Sequence, residues 1–181
     1  ATFSPSRVLL GGPNTGEGNV IAHNGWQGIA TNATAFDIGI VGNSIHSNSW
    51  LGIDLEGNGV TANDALDGDS GGNDRLNFPV ITAVDVVAGT ASVDYTLDVP
   101  TGPYVVDFFV SAAADPSGYG EGAVHAHRAA VTQSAAGSQA KIIMRRSHWF
   151  FQTSRMPAPA ITIQRVQALL LARSQRRYPT S

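Results

Sequence analysis

Residues 54–74 read DLEGNGVTANDALDGDSGGND, with carboxylates set among glycines and asparagines. Within this stretch Asp67-x-Asp69-x-Gly71-x-Asn73 has the spacing of several calcium loops. Calcium takes roughly six to eight oxygen ligands, and alternating side chains on a tight loop can converge on one ion. Asp67, Asp69 and Asn73 are the expected core of such a site, with Asp64 and Asp74 as further ligands and Gly71 at the sharp turn. No helical pattern flanks the loop and no Glu stands at its twelfth position, so the helix–loop–helix form is absent. An acidic, solvated connector is the plain alternative. No cofactor is required, and calcium is the one the residues could take.

Trp26 and Trp50 are the other chemical candidates. Indole faces stack on sugar rings, so the pair reads as a carbohydrate-binding platform, and equally as a stack that shields a turn. His23 and His46 could sit close enough to hold a metal or a proton, but read more simply as solvent-facing turn residues. Enzyme chemistry is poorly provided for. Only Arg7 and Arg75 stand as basic residues before Arg128, which leaves a lyase base short of candidates. Neither Asp-Asp nor Gly-His-Gly occurs, the pairs that polygalacturonase-like acid–base hydrolysis would want. His-Glu-x-x-His and the phosphate-binding glycine loop are missing too. The chain is therefore expected not to be an enzyme.

These residues ride on a repeat. Residues 18–30, GNVIAHNGWQGIA, align without a gap on residues 42–54, GNSIHSNSWLGID, and 7 of 13 positions coincide. The shared residues are Gly18/Gly42, Asn19/Asn43, Ile21/Ile45, Asn24/Asn48, Trp26/Trp50, Gly28/Gly52 and Ile29/Ile53. A period of 24 residues belongs to stacked architectures. Few leucines, many Asn and Gly, and short Ile/Val runs select strands and tight turns over a leucine-rich repeat. Coils of about three strands, stacked at about 4.8 Å, give each position a partner on the next coil. Ile21 should lie on Ile45 and Ile29 on Ile53, with Ile38, Ile40 and Leu55 extending the apolar set. Asn24 should lie on Asn48 at a bend, where Asn accepts left-handed backbone and where stacked amides form a ladder.

The runs GNVIAHNGWQGIA, GNSIHSNSWLGIDL and GNGVTANDALDGDSGGNDRLNFPVITAV resemble bacterial right-handed parallel β-helix repeat proteins of the pectin-lyase-like superfamily. PYVVDFFVSAAADPSGYGEG is similar to the β-sandwich-like module that follows such coils. The resemblance covers residues 8 to about 138. It implies an all-β chain: two to three parallel β-helix coils over residues 1–57, an acidic connector over 58–78 and a sandwich-like module over 79–140. It implies a secreted or cell-surface location and a structural or adhesive role. A polysaccharide or a host or cell-surface glycan is the expected partner, and the alternative is a polysaccharide-processing protein with its catalytic residues outside this chain.

Downstream, residues 91–99 (ASVDYTLDV) alternate, with Val93, Tyr95, Leu97 and Val99 on one face. After the turn at residues 100–103, YVVDFFV puts Tyr104, Val106, Phe108 and Val110 inward, and the two runs read as an antiparallel hairpin. No cysteine is present, which removes disulfides and thiolate sites. No apolar run is long enough to span a membrane. Residues 1–127 carry 14 acidic and 2 basic residues, and 128–181 carry 9 basic and no acidic ones. Residues 141–181 thus form a basic tail with three open readings: a segment for nucleic acid or an anionic membrane, a helical cap, or a stretch translated out of frame. Nucleic acid is not expected as a partner. Little order is expected beyond about residue 140, and the chain reads as part of a longer protein.

Overall fold

The computed structural model describes residues 8–88, 90–111, 118–134 and 138–145. The chain is all-β, with eleven strands and two short 3-10 turns among these residues. The first six strands are Val8–Gly11 (β1), Val20–Ala22 (β2), Ile29–Ala30 (β3), Ile38–Val41 (β4), Ser44–His46 (β5) and Ile53–Asp54 (β6). Each is two to four residues long, because Gly, Asn and Ser interrupt every apolar run. Strands this short hold no hairpin of their own, and they pair instead with their counterparts one repeat away.

That pairing is parallel throughout. β1 lies on β4, β2 on β5 and β3 on β6, giving a first row of three strands over a second row in the same order. Ile21 pairs with Ile45 and Ile29 with Ile53. Val8 pairs with Ile38 at a separation of 30, because residues 12–17 form an excursion present only in the first row. Ile40, Val41 and Ile45 are buried, while Ile21, Ile29, Ile38 and Leu55 are half-buried. The left-handed corner residues are His23 (φ 59°) and Ser47 (φ 57°), not Asn24 and Asn48. The bend falls one residue earlier than expected, which leaves each Asn with ordinary backbone and its amide turned into the stack.

The remaining strands are Val80–Val87 (β7), Thr90–Leu97 (β8), Gly102–Val110 (β9), Val124–Gln133 (β10) and Ser138–Arg145 (β11). They form two antiparallel sheets, one ordered β11-β8-β7 and the other β10-β9. The expected hairpin is corrected here: β8 and β9 lie in different sheets. Both runs have one apolar face, and those faces cover each other only when the strands stack rather than pair side by side. Val93, Tyr95, Leu97 and Val99 accordingly share one core with Tyr104, Val106, Phe108, Val110, Ala126 and Ala129. Tyr95 meets Phe108 edge-on at 5.5 Å. Lys141–Arg145 pairs with Asp94–Thr90, so the strand runs past residue 140, where order was expected to end. The edge of β8 offers unpaired backbone there, and KIIM is well suited to fill it. The tail expectations for 146–181 fall outside the described residues.

Candidate functional site

The distinctive chemistry lies along the seam between the rows. Asn43 Oδ1 accepts from the Asn19 backbone N (2.9 Å) and Nδ2 (2.9 Å), while Asn43 Nδ2 donates to the Leu10 carbonyl (2.9 Å). Asn48 repeats the pattern five residues on. Its Oδ1 accepts from Asn24 N (3.1 Å) and Nδ2 (2.7 Å), and its Nδ2 donates to the Ile21 carbonyl (3.1 Å). Each rung satisfies a backbone N–H, a side-chain amide and a backbone carbonyl that would otherwise be unpaired at a bend. Asn43 and Asn48 are 3% and 8% exposed, whereas Asn19 and Asn24 in the first row are exposed. Glycine permits the approach: a Cβ on Gly18 would overlap the Gly42 carbonyl, and one on Gly28 would lie 2.7 Å from the Gly52 carbonyl.

On the far side of the second row stands Glu121, which no feature of the sequence had marked. Its carboxylate accepts from Asn48 N (3.1 and 3.2 Å) and from Asn48 Nδ2 (2.7 Å). Those are the donors that Asn24 presents to Asn48, so Glu121 stands where the Asn of a third row would stand. The neighbouring backbone completes the substitution. Ile45 N donates to the Gly122 carbonyl (2.8 Å), and Ser44 Oγ donates to the Ala123 carbonyl (2.5 Å). Gly122 is required because a Cβ there would lie 2.6 Å from the Phe109 ring. A carboxylate accepts but cannot donate, so the ladder ends at Glu121.

The connector seals another edge. Asn73 Oδ1 accepts from Ile38 N (3.0 Å) and its Nδ2 donates to the Ile38 carbonyl (2.8 Å), in the manner of a strand residue. Asn63 treats Phe78 the same way, and Asn77 treats Asp64. Asparagine amides thus pin the segment between the rows and the sheets. Glu56 joins in: its carboxylate accepts from Arg75 Nε (2.9 Å), Arg75 Nη2 (2.7 Å) and Gly72 N (3.0 Å). The Arg75 and Gly72 hydrogen bonds hold its pKa at about 2.

Four of the five expected calcium ligands have other partners here. Asn73 is turned onto β4. Asp64 accepts from Gly68 N, Asp67 from Asn77 N, and Asp69 lies 3.7 Å from Arg75 Nη1. Asp74 is exposed. Burial pushes the Asp67 carboxyl up despite the Asn77 hydrogen bond, and the charges of Asp64, Asp69 and Asp74 push the same way. Among the described residues no group of three or more His, Cys, Asp and Glu side chains is placed to hold a metal ion. Gly68-Asp69-Ser70-Gly71-Gly72 has the Gly-x-Ser-x-Gly spacing of a nucleophile elbow. It sits in the connector between two 3-10 turns, without the strand-to-helix turn that motif needs, and Ser70 is exposed.

Trp26 and Trp50 do come together, with ring centroids 5.3 Å apart and planes 29° apart. They are 66% and 49% exposed. Stacked this way, the two rings cover part of each other's faces and both stay exposed. His23 and His46 also meet, edge-on at 6.0 Å.

Asp107 is a second cluster missed in the sequence, where it reads as one of the polar residues alternating along a strand. It is 2% exposed and accepts from Arg128 Nε (2.7 Å) and Nη2 (2.6 Å), with His125 Nε2 at 3.0 Å. Burial works to raise its pKa, but the His125 and Arg128 hydrogen bonds outweigh it and hold the carboxyl below its usual range. Arg128 Nη1 also reaches the Pro13 carbonyl (3.3 Å), tying β10 to the excursion of the first row. No family model matches the chain, and no curated protein is found to match it.

Proposed function

We propose that this chain is a non-catalytic structural or adhesive segment of a secreted or cell-surface protein. In this reading the two rows are successive coils of a right-handed parallel β-helix of the pectin-lyase-like kind, and β7–β11 form a β-sandwich-like module that stoppers them. The observation that carries it is the Glu121 rung. A carboxylate from the sandwich occupies the position that the repeat assigns to an asparagine of the next coil, with Gly122 and Ala123 on the strand edge beside it. An edge covered in this way does not recruit other strands. Two tests bear on the reading. Limited proteolysis should leave residues 18–88 uncut until the whole unit unfolds. Incubation with pectin, polygalacturonate and alginate should yield no turnover. Cleavage that tracks the purified chain would contradict the proposal.

The Trp26–Trp50 stack favours a second reading, carbohydrate binding. Two exposed indoles on one corner are a large apolar surface for a protein to leave in water. Retardation on a polysaccharide gel that disappears in the Trp26→Ala/Trp50→Ala double variant would support it. Equal mobility of variant and parent would remove it.

A further inference from the structure

Asparagine amides hold this chain together, with one exception. The sequence has ten asparagines, all between residues 14 and 77. Nine of them donate a hydrogen bond through Nδ2, to a neighbouring amide, a backbone carbonyl or a carboxylate. The tenth is Asn32. It is exposed, and among the described residues its Nδ2 has no hydrogen-bond partner. Its Oδ1, by contrast, accepts twice from Thr34, from the backbone N at 3.0 Å and from Oγ1 at 2.9 Å. The turn between β3 and β4 makes this possible. Ala35 N donates to the Asn32 carbonyl (3.0 Å), and the side-chain oxygen caps the residue two places on. The connector braces the backbone of this turn: Asn73 N donates to the Ala35 carbonyl (2.7 Å), and a Cβ on Gly72 would lie 2.6 Å from the Asn32 carbonyl. The side chains of residues 32–34 all stay exposed.

Asn32-Ala33-Thr34 is also the one Asn-x-Ser/Thr triplet of the chain. That is the spacing at which an asparagine amide accepts a sugar, provided the middle residue is not proline. The triplet is read from the letters and the unengaged amide from the hydrogen bonds, and both fall on the same residue. We propose that Asn32 is the acceptor of an N-linked glycan. An amide nitrogen is a poor nucleophile because its lone pair is shared with the carbonyl. Removing an Nδ2 proton puts negative charge on Oδ1, and the two Thr34 donors already on that oxygen stabilise it. Nδ2 then bonds to the anomeric carbon of a sugar activated as a phosphate ester. The carbon–oxygen bond to the phosphate breaks, the phosphate leaves with the electron pair, and the Nδ2 proton goes to a base of the transferase. Thr34 positions Asn32 and forms no bond to the sugar. At each of the other nine asparagines the transferase would first have to break a hydrogen bond of the fold.

This inference rests on the secreted or cell-surface reading, since such triplets are glycosylated on surface loops of secreted proteins, and the two can fail separately. Fractionation of the native cells locates the full chain, and mass spectrometry of the peptide containing Asn32 reads the modification. The expected result is the mass of one or more sugar residues on Asn32 and on no other asparagine. Thr34→Ser should keep the sugar, because it keeps the hydroxyl. Thr34→Ala and Asn32→Gln should lose it. Circular dichroism of each variant against the parent shows that a lost sugar is not a lost fold. A bare Asn32 in the native chain, in whatever fraction it is found, overturns the inference, and outside the cell it leaves the location reading standing. A sugar that survives Thr34→Ala also overturns it. A glycosylated chain that stays inside the cell supports the inference and sinks the location.

Discussion

Replacing Glu121 by alanine removes three contacts at once. The Asn48 backbone N–H loses its partner inside a site where Glu121 is 5% and Asn48 8% exposed. Asn48 Nδ2 keeps its bond to the Ile21 carbonyl but loses the carboxylate. Hydrogen bonds to a charged group contribute about 1.5–3 kcal/mol, and an unsatisfied buried donor costs about 1–3 kcal/mol. The desolvation of an ion without a cationic partner offsets part of this. The net loss for Glu121→Ala is about 3 kcal/mol, which lowers Tm by about 6–12 °C for a unit of this size. Glu121→Gln keeps an acceptor for Asn48 and sheds the desolvation cost, so it should stay within about 1 kcal/mol of the parent. Thermal unfolding followed by circular dichroism gives the totals, and hydrogen exchange at the Asn48 amide gives the location. If Glu121→Ala leaves Tm unchanged and the Asn48 amide protected, Glu121 is not the terminal rung, and the capping account is wrong.

Other expectations follow from the same contacts. Asn43→Ala removes the hydrogen bonds that the buried Asn43 amide makes with Asn19 N, Asn19 Nδ2 and the Leu10 carbonyl, and should cost about 1–3 kcal/mol in urea unfolding. Acid should weaken the fold through Glu56 and Asp107. Both have depressed folded-state pKa values, so their contributions are complete above their ordinary values of 4.5 and 3.8. They fade as pH falls, toward about 2 for Glu56. Arg75→Ala should flatten the Tm–pH curve over that window, and an unchanged slope would count against the Glu56 assignment. Millimolar calcium should leave Tm in place, because Asp64 and Asp67 accept backbone N–H groups and Asn73 holds β4. A rise lost in Asp67→Asn/Asp69→Asn would show instead that the loop closes on an ion. Phe109→Leu should loosen the packing under Gly122, and should raise exchange at Ile45 N more than at Val93 N, read by the same hydrogen-exchange experiment.

The sequence showed the seam better than the seal. A 24-residue self-match is visible because each row repeats the same contacts, so Ile21/Ile45, Asn24/Asn48 and Trp26/Trp50 announce one another. Glu121 has no counterpart in the repeat. It does its work by resembling an asparagine in geometry rather than in letters, and a carboxylate in a Gly-rich loop reads as solvated. Asn73 is ambiguous for a related reason: a side-chain amide can serve a cation or a strand edge, and spacing alone does not distinguish them. The hairpin expected at β8 and β9 had the correct inward faces and the wrong partner, because alternation marks which side is buried but not what buries it. Asp107 was hidden by that same alternation.

The central claim is that rows one repeat apart are stacked through their asparagines, and a double-mutant cycle measures it directly. Asn24→Ala, Asn48→Ala and the double variant should show a coupling of about 1 kcal/mol or more, since Asn48 Oδ1 accepts from both Asn24 N and Nδ2. Asn24 with Asn43, which share no hydrogen bond, should be additive within about 0.5 kcal/mol. Additivity in the first pair would mean that the two residues do not meet, and the stacked rows would have to be abandoned.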